Sequence, residues 1–252
     1  MFIENKKSIM TKSAFSLVEL AIVITIMGVL AAGITVAQNL AENAKLNKII
    51  ISLKEIDQSI SSFKMTYEAV PGDFAKATSY FSDTANGDGD RQIEDRETVT
   101  GNVRESLRAW QHMSLAKVIV GNFTGTGTTL IGGTNIPTTN LDGTVMNFSY
   151  KFWHATASWV ASSYLENSLM VGGAISTNSY YSTTTDRVIA SSFSSFDAKR
   201  LDEKYDDNGK YSGNFIWVGG KSVDDSGWDS CPSFSAVNQS TTCILLKNLG
   251  SL

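Results

Sequence analysis

Apolar residues follow two successive patterns along the N-terminal part of this chain. From position 15 to 38 the run FSLVELAIVITIMGVLAAGITVAQ is apolar almost throughout, with a single charge, Glu19, near its start. A helix needs roughly 20 apolar residues to cross a bilayer core, and this run meets that length. Beyond Gln38 the run gives way to a stripe. Leu46, Ile49, Leu53, Ile56, Ile60, Phe63 and Tyr67 recur at alternating spacings of three and four, which puts them on one helical face. Lys45, Lys48, Lys54, Asp57 and Lys64 take the opposite face, and no Pro or Gly interrupts the stripe before Pro71-Gly72. The two patterns predict one helix over 15–69, roughly 80 Å long at ~1.5 Å per residue. Its first half suits a membrane. Its second half carries a stripe suited to packing on a head domain. Gly28 and Gly33 weaken the apolar half and permit close approach between helices.

The remaining pattern is mixed. Residues 73–81 read as a short helix capped by Asp73, and 102–120 as a second helix that buries Val103, Leu107, Trp110 and Leu115 or Val118 and stops at Gly121. The Gly-, Thr- and Asn-rich segment 122–140 reads as an exposed loop or hairpin. Strand candidates are 145–153, 169–175, 187–193, 215–218 and 243–246, with a short helix over 195–204. The predicted fold class is α+β: a long N-terminal helix packed on a mostly antiparallel sheet. The expected division is a leader at 1–14, the helix at 15–70 and a head at 71–252.

Charge and composition narrow the function. A net charge of −4 leaves no nucleic-acid footprint. The chain has no Gly-rich phosphate loop, nucleophile elbow or metal-spaced His pair, so an enzyme is not expected. Trp153, His154 and Trp159 lie close in sequence, as core aromatics or as a sugar platform. Lys6, Lys7 and Lys12 precede the apolar run and favour a cytoplasmic N-terminus, with the rest outside. Met10 is an alternative start to Met1. In an exported chain the two cysteines, Cys231 and Cys243, are expected to pair. Closing that loop contributes roughly 3 kcal/mol in the chain-entropy model.

Three readings compete for the apolar run: a signal peptide cut after a small residue such as Ala37, a plain membrane anchor, and a third that rests on a resemblance. Glu19 separates them, because a carboxylate in such a run costs roughly 3 kcal/mol on an insertion scale and needs a reason. Lys12-Ser13-Ala14 followed by Phe15-Ser16-Leu17-Val18-Glu19-Leu20 resembles the class III signal of type IV prepilins and type II secretion pseudopilins. The resemblance covers about the first sixty residues. It implies cleavage between Ala14 and Phe15 by a prepilin peptidase, then N-methylation of Phe15. Ala14 departs from the family's usual Gly before the cut, and Val36 lies near where the family often has Pro. The resemblance further implies that Glu19 of one subunit meets the free Phe15 amine of the next, compensating two charges that are costly alone in an apolar interior. Trp110-Gln111-His112-Met113 with 116–121, and Pro71-Gly72-Asp73 with the Asn-Gly-Asp run, resemble segments of long bacterial pilin-like proteins. The pair Cys231 and Cys243 is similar to the C-terminal disulfide loop of type IV pilins. His112 is expected to be a helix-face residue rather than a ligand.

Two acidic stretches are candidates for calcium. Asn86, Asp88, Asp90 and Glu97 fall at spacings that resemble an EF-hand loop, with Ile93 at its eighth position, but Arg91 stands where that loop needs Gly for a sharp turn. Asp206 and Asp207, before Asn208-Gly209, are the second candidate on the strength of the resemblance, which implies a calcium site late in the head as in secretion pseudopilins. The sequence therefore points to a subunit of a type IV pilus-like filament, minor or specialised because 122–193 enlarges the head. The expected partners are homologous subunits, the prepilin peptidase, an inner-membrane assembly platform and membrane lipid. The expected location is a bacterial inner membrane, as a single pass, before assembly and a periplasmic or surface filament afterwards. A secretion pseudopilin and a monomeric anchored binding protein are the alternatives.

Overall fold

The computed structural model describes residues 16–94, 104–127, 130–139, 141, 143–150, 167–173, 191–219, 231–232, 234, 240–250 and 252. The leader, Ala14, Phe15, Glu97, Trp153, His154 and Trp159 lie outside the described residues. The chain divides into two compact units, Met1–Ala44 and Lys45–Leu252. Helix α1 (Leu17–Tyr67) is long and apolar, and a five-stranded antiparallel sheet follows it, so the layout is α+β as the pattern predicts.

In the first unit the large apolar side chains of α1 from Leu17 to Leu40 are between 42% and 85% exposed. This helix is long and apolar enough to cross a membrane, with a mean hydropathy of 2.5 over its most apolar window. The second unit begins where the stripe begins. Leu46, Ile49, Leu53, Ile60 and Phe63 are buried in the core, and Ile56 and Tyr67 pack against it partly buried. Phe63 stands at the centre of an aromatic cluster with Tyr67, Phe74, Phe81 and His112. Polar ties fix the same helix: the Lys247 ammonium meets Asp57 at 2.6 Å, and Ser59 donates to the Val118 carbonyl at 3.0 Å.

After the Pro71-Gly72 break, α2 is a single turn (Ala77–Tyr80). The expected helix over 73–81 is thus shorter, and Asp73 does not cap it: Lys76 holds that position without a side-chain hydrogen bond. Helix α3 (Glu105–Leu115) is likewise shorter than 102–120. Its chain turns at Lys117, whose φ is +58°, rather than at Gly121. The segment 122–140 is not simply an exposed loop. Phe123, Leu130 and Ile136 are buried, and Thr138 bridges Val145. Strand β1 (Thr144–Tyr150) pairs with β2 (Asn167–Gly173), and β2 pairs with β5 (Thr241–Gly250). The short β3 (Phe193–Ser194) and β4 (Phe215–Gly219) also pair with β5, making it the hub of the sheet. Trp110 of α3 packs on Phe148 of β1 with ring centroids 4.5 Å apart. Helix α4 (Ser195–Tyr205) is capped by Ser194, whose hydroxyl accepts the Asp197 amide at 3.0 Å. Cys231 and Cys243 form a disulfide that ties the chain to β5.

Phe63 is fully buried among four aromatic neighbours, so truncation leaves a cavity. Phe63→Ala is expected to lower unfolding free energy by about 3–5 kcal/mol, read as a lower urea midpoint with an unchanged slope.

Candidate functional site

The start of α1 is built from Ser16-Leu17-Val18-Glu19. The Ser16 hydroxyl accepts the Val18 amide at 3.3 Å, and the Glu19 carboxylate reaches back to accept the Ser16 amide at 3.0 Å. This is a reciprocal cap, in which two amides that the first helical turn leaves unpaired are satisfied by side chains. A Ser followed three residues later by Glu is its sequence signal. Glu19 therefore has a local role within its own chain, which the reading of the apolar run overlooked. It also stands at the positive end of the helix dipole, where a carboxylate is favoured.

In the head, the acidic loop after α2 is held by two buried carboxylates. Asp73, 3% exposed, accepts the amides of Gly89 and Asp90 on one oxygen and that of Arg91, at 2.6 Å, on the other. Glu105, 1% exposed at the start of α3, accepts the amides of Asp88 and Glu94 at 3.1 and 3.4 Å. Arg91 itself adopts a left-handed backbone, φ +69°, so it makes the sharp turn that the loop was expected to need Gly for. Of the expected calcium ligands, Asn86 accepts the Thr78 amide, Asp88 the Asp90 amide and Asp90 the Gln92 amide. Asp88 and Asp90 each offer an oxygen within 4.8 Å of one from Asp73. Asp73 lies too far back in sequence for spacing to have found it.

Beneath this loop, His112 is fully buried. Its Nδ1 accepts the Gly72 amide at 3.0 Å, which leaves Nε2 to donate to Thr84 Oγ1 or the Ala85 carbonyl. Burial pushes its pKa down to about 4, so it is a neutral structural residue rather than a helix-face one. Gly72 has a φ of +92°, and a Cβ there would lie 2.4 Å from the Glu105 carbonyl oxygen, so only Gly fits between the turn and α3.

The second acidic cluster forms where α4 ends. Asp202, Asp206 and Asp207 each offer one oxygen, all within 4.8 Å of one another. Asp206 and Asp207 were expected from sequence. Asp202, at 0% exposure, is an addition visible only in the fold, and its Oδ2 accepts the Trp217 indole N–H at 2.9 Å.

No protein-family model, no curated protein and no solved structure matches this chain.

Burial raises Asp73 to about 6 and Glu105 to about 8, with neighbouring acids adding repulsion, and burial raises Asp202 to about 6. A raised carboxylate keeps its proton in the folded state at pH values where the unfolded chain has lost it. Its contribution to stability is complete below the unfolded pKa and is lost as pH rises through the folded one. In chelator-containing buffer the urea midpoint of the head is therefore expected to fall between about pH 4.5 and pH 8, and Glu105→Gln to flatten the part above pH 6.

Proposed function

We propose that this chain is a structural subunit of a type IV pilus-like filament, minor or specialised, that is assembled through its N-terminal helix. The observation that carries this reading is the exposure of apolar side chains all along the first part of α1, beginning directly after the cleavage-type sequence Lys12-Ser13-Ala14-Phe15. Apolar surface of this extent is favourable only in lipid or against other helices. The head gives independent support. It is built on the second part of α1 alone, with its core starting at Leu46, and it carries the Cys231–Cys243 disulfide that suits an exported domain.

In this reading a prepilin peptidase cuts before Phe15, the new amine is methylated, and an inner-membrane platform moves the subunit from lipid into a filament. Lipid contact is replaced by packing between α1 helices, where Gly28 and Gly33 leave open space for a neighbour. Glu19 then faces the Phe15 amine of the adjacent subunit, and the pair sets the axial register. A secretion pseudopilin uses the same mechanics with a different system. A monomeric anchored binder would need no assembly at all.

Mass spectrometry of the mature chain is expected to show methyl-Phe15 at the N-terminus. A terminus at Gln38, or an intact leader in cells with active peptidase, would sink the reading. Glu19→Gln separates cap from charge, because the amide oxygen can still accept the Ser16 N–H while the negative charge is gone. It is expected to be processed normally but to be missing from sheared surface filaments. Normal entry of Glu19→Gln into filaments would overturn the charge pairing. Membrane-bound monomer alone, in both variants, would favour the anchored binder.

A further inference from the structure

The last turn of α1, the single turn α2 and the turn at 89–91 enclose an open cavity of about 810 Å³ in the head. A volume of that order is usual for small-molecule sites. Tyr67 and Tyr80 make a corner in its wall, with ring centroids 5.5 Å apart and planes at 83°. Phe74 backs both rings, at 5.8 Å from Tyr67 and 5.3 Å from Tyr80. Lys64, Lys76 and Arg91 line the same cavity, and none of these cations has an ion pair or a side-chain hydrogen bond among the described residues. The hydroxyls of Tyr67 and Tyr80 are without a partner in the same sense. Glu68 adds one exposed carboxylate. The second carboxylate of the wall, Asp73, is already saturated by the amides of Gly89, Asp90 and Arg91.

Two of these charged residues stand on strained backbone. Glu68 and Arg91 are left-handed, with φ of +52° and +69°, a conformation that favours glycine. The Glu68 amide closes the end of α1 on the Lys64 carbonyl at 2.9 Å, a place where helices commonly carry glycine. The Arg91 amide is fixed on the buried Asp73 carboxylate at 2.6 Å. Glycine would make both turns with less strain, but it would present no charge to the cavity. Strain of this kind concentrates at ligand clamps, and both strained residues line one cavity.

We propose that this cavity binds an acidic saccharide, a sugar chain that carries uronate-type carboxylates. The tyrosine corner offers an aromatic face to the C–H face of a sugar ring. The tyrosine hydroxyls and the Glu68 carboxylate exchange hydrogen bonds with sugar hydroxyls. Arg91 meets the sugar carboxylate as a planar fork, and Lys64 and Lys76 meet it as point charges. Other ligands leave part of the wall unused. An inorganic anion has no ring for the tyrosines, and a neutral sugar leaves three cations unpaired. A cationic ligand is repelled by those three. A nucleic acid would meet the Glu68 carboxylate and a chain of net charge −4. The inference goes beyond the filament reading and does not rest on it, because every residue of the cavity belongs to the second unit.

The test is calorimetric titration of the full chain in detergent with tetramers of galacturonate and of glucuronate. Saturable binding of at least one is expected, weakening as salt is raised. The neutral galactose and glucose tetramers are expected to bind about tenfold more weakly, because the charge-assisted hydrogen bonds are gone. Lys76 is exposed, so Lys76→Gln should fold, and it is expected to weaken uronate binding by about tenfold. Arg91→Gly separates binding from folding. It is expected to weaken binding by about tenfold while its unfolding temperature is no lower than the parent's, because glycine makes the turn without strain. Lys48→Gln, exposed and outside the cavity, is expected to bind as the parent does. Absence of binding to both uronate tetramers would overturn the proposal, as would equal affinity for the neutral ones. So would uronate binding that survives both Lys76→Gln and Arg91→Gly. Tighter binding of an oligothymidylate or of a glutamate tetrapeptide would assign the cavity to a nucleic acid or to an acidic protein instead.

Discussion

The rest of the molecule is arranged around a helix surface that water cannot accommodate. Over its first unit, α1 has no polar face. Leu17, Ile24, Met27, Val29 and Leu30 point in different directions and are all exposed. At about 25 cal/mol per Å² of apolar surface, leaving such a helix in water costs many times the free energy of one hydrogen bond. A helix of this length and hydropathy could cross a membrane. The stripe from Leu46 to Tyr67 solves the same problem within the chain, by burying one face on α3, the aromatic cluster and the sheet. One helix thus meets the constraint in two ways, and the change between them falls where the head begins.

Inside the head, carboxylates rather than apolar side chains settle the loops. Asp73 and Glu105 each stand at a place where several backbone amides converge without carbonyl partners, and each collects them. A buried amide left unpaired costs about as much as a hydrogen bond lost, so the burial of these acids is compensated in part by the amides they satisfy. Asp202 stands apart from them. The Trp217 indole donates to one of its oxygens, and the carboxylates of Asp206 and Asp207 lie beside it. The same residue type thus closes a loop at Asp73, where several amides meet it, and gathers with two other acids at Asp202.

Features of short range could be read from the sequence. The stripe at spacings of three and four marks the face of α1 that is buried, the short helix expected over 195–204 is α4, and the two cysteines pair as expected. Features made by tertiary contact could not. Residues 122–140 look like an exposed loop by composition, yet Ile136 is buried because the segment is drawn against β1. Helix α3 ends before Gly121, because Lys117 takes the left-handed conformation that glycine usually supplies. Asp before a helical run usually caps it, and Asp73 does not. The amides of 89–91, some sixteen residues on, compete for the same carboxylate and win.

The local role of Glu19 is compatible with the intermolecular one proposed for it. In the single chain its carboxylate accepts the Ser16 amide, so a charge in an otherwise apolar run has a donor and a favourable dipole from the start. The proposed cleavage before Phe15 would place a cationic amine one residue beyond that amide. A carboxylate has room for several donors, and one N–H does not exhaust it. The cap therefore need not break for the charge to be used. In the proposed filament the cap would fix the carboxylate at the helix end beforehand, so part of the ordering entropy would be lost before subunits meet.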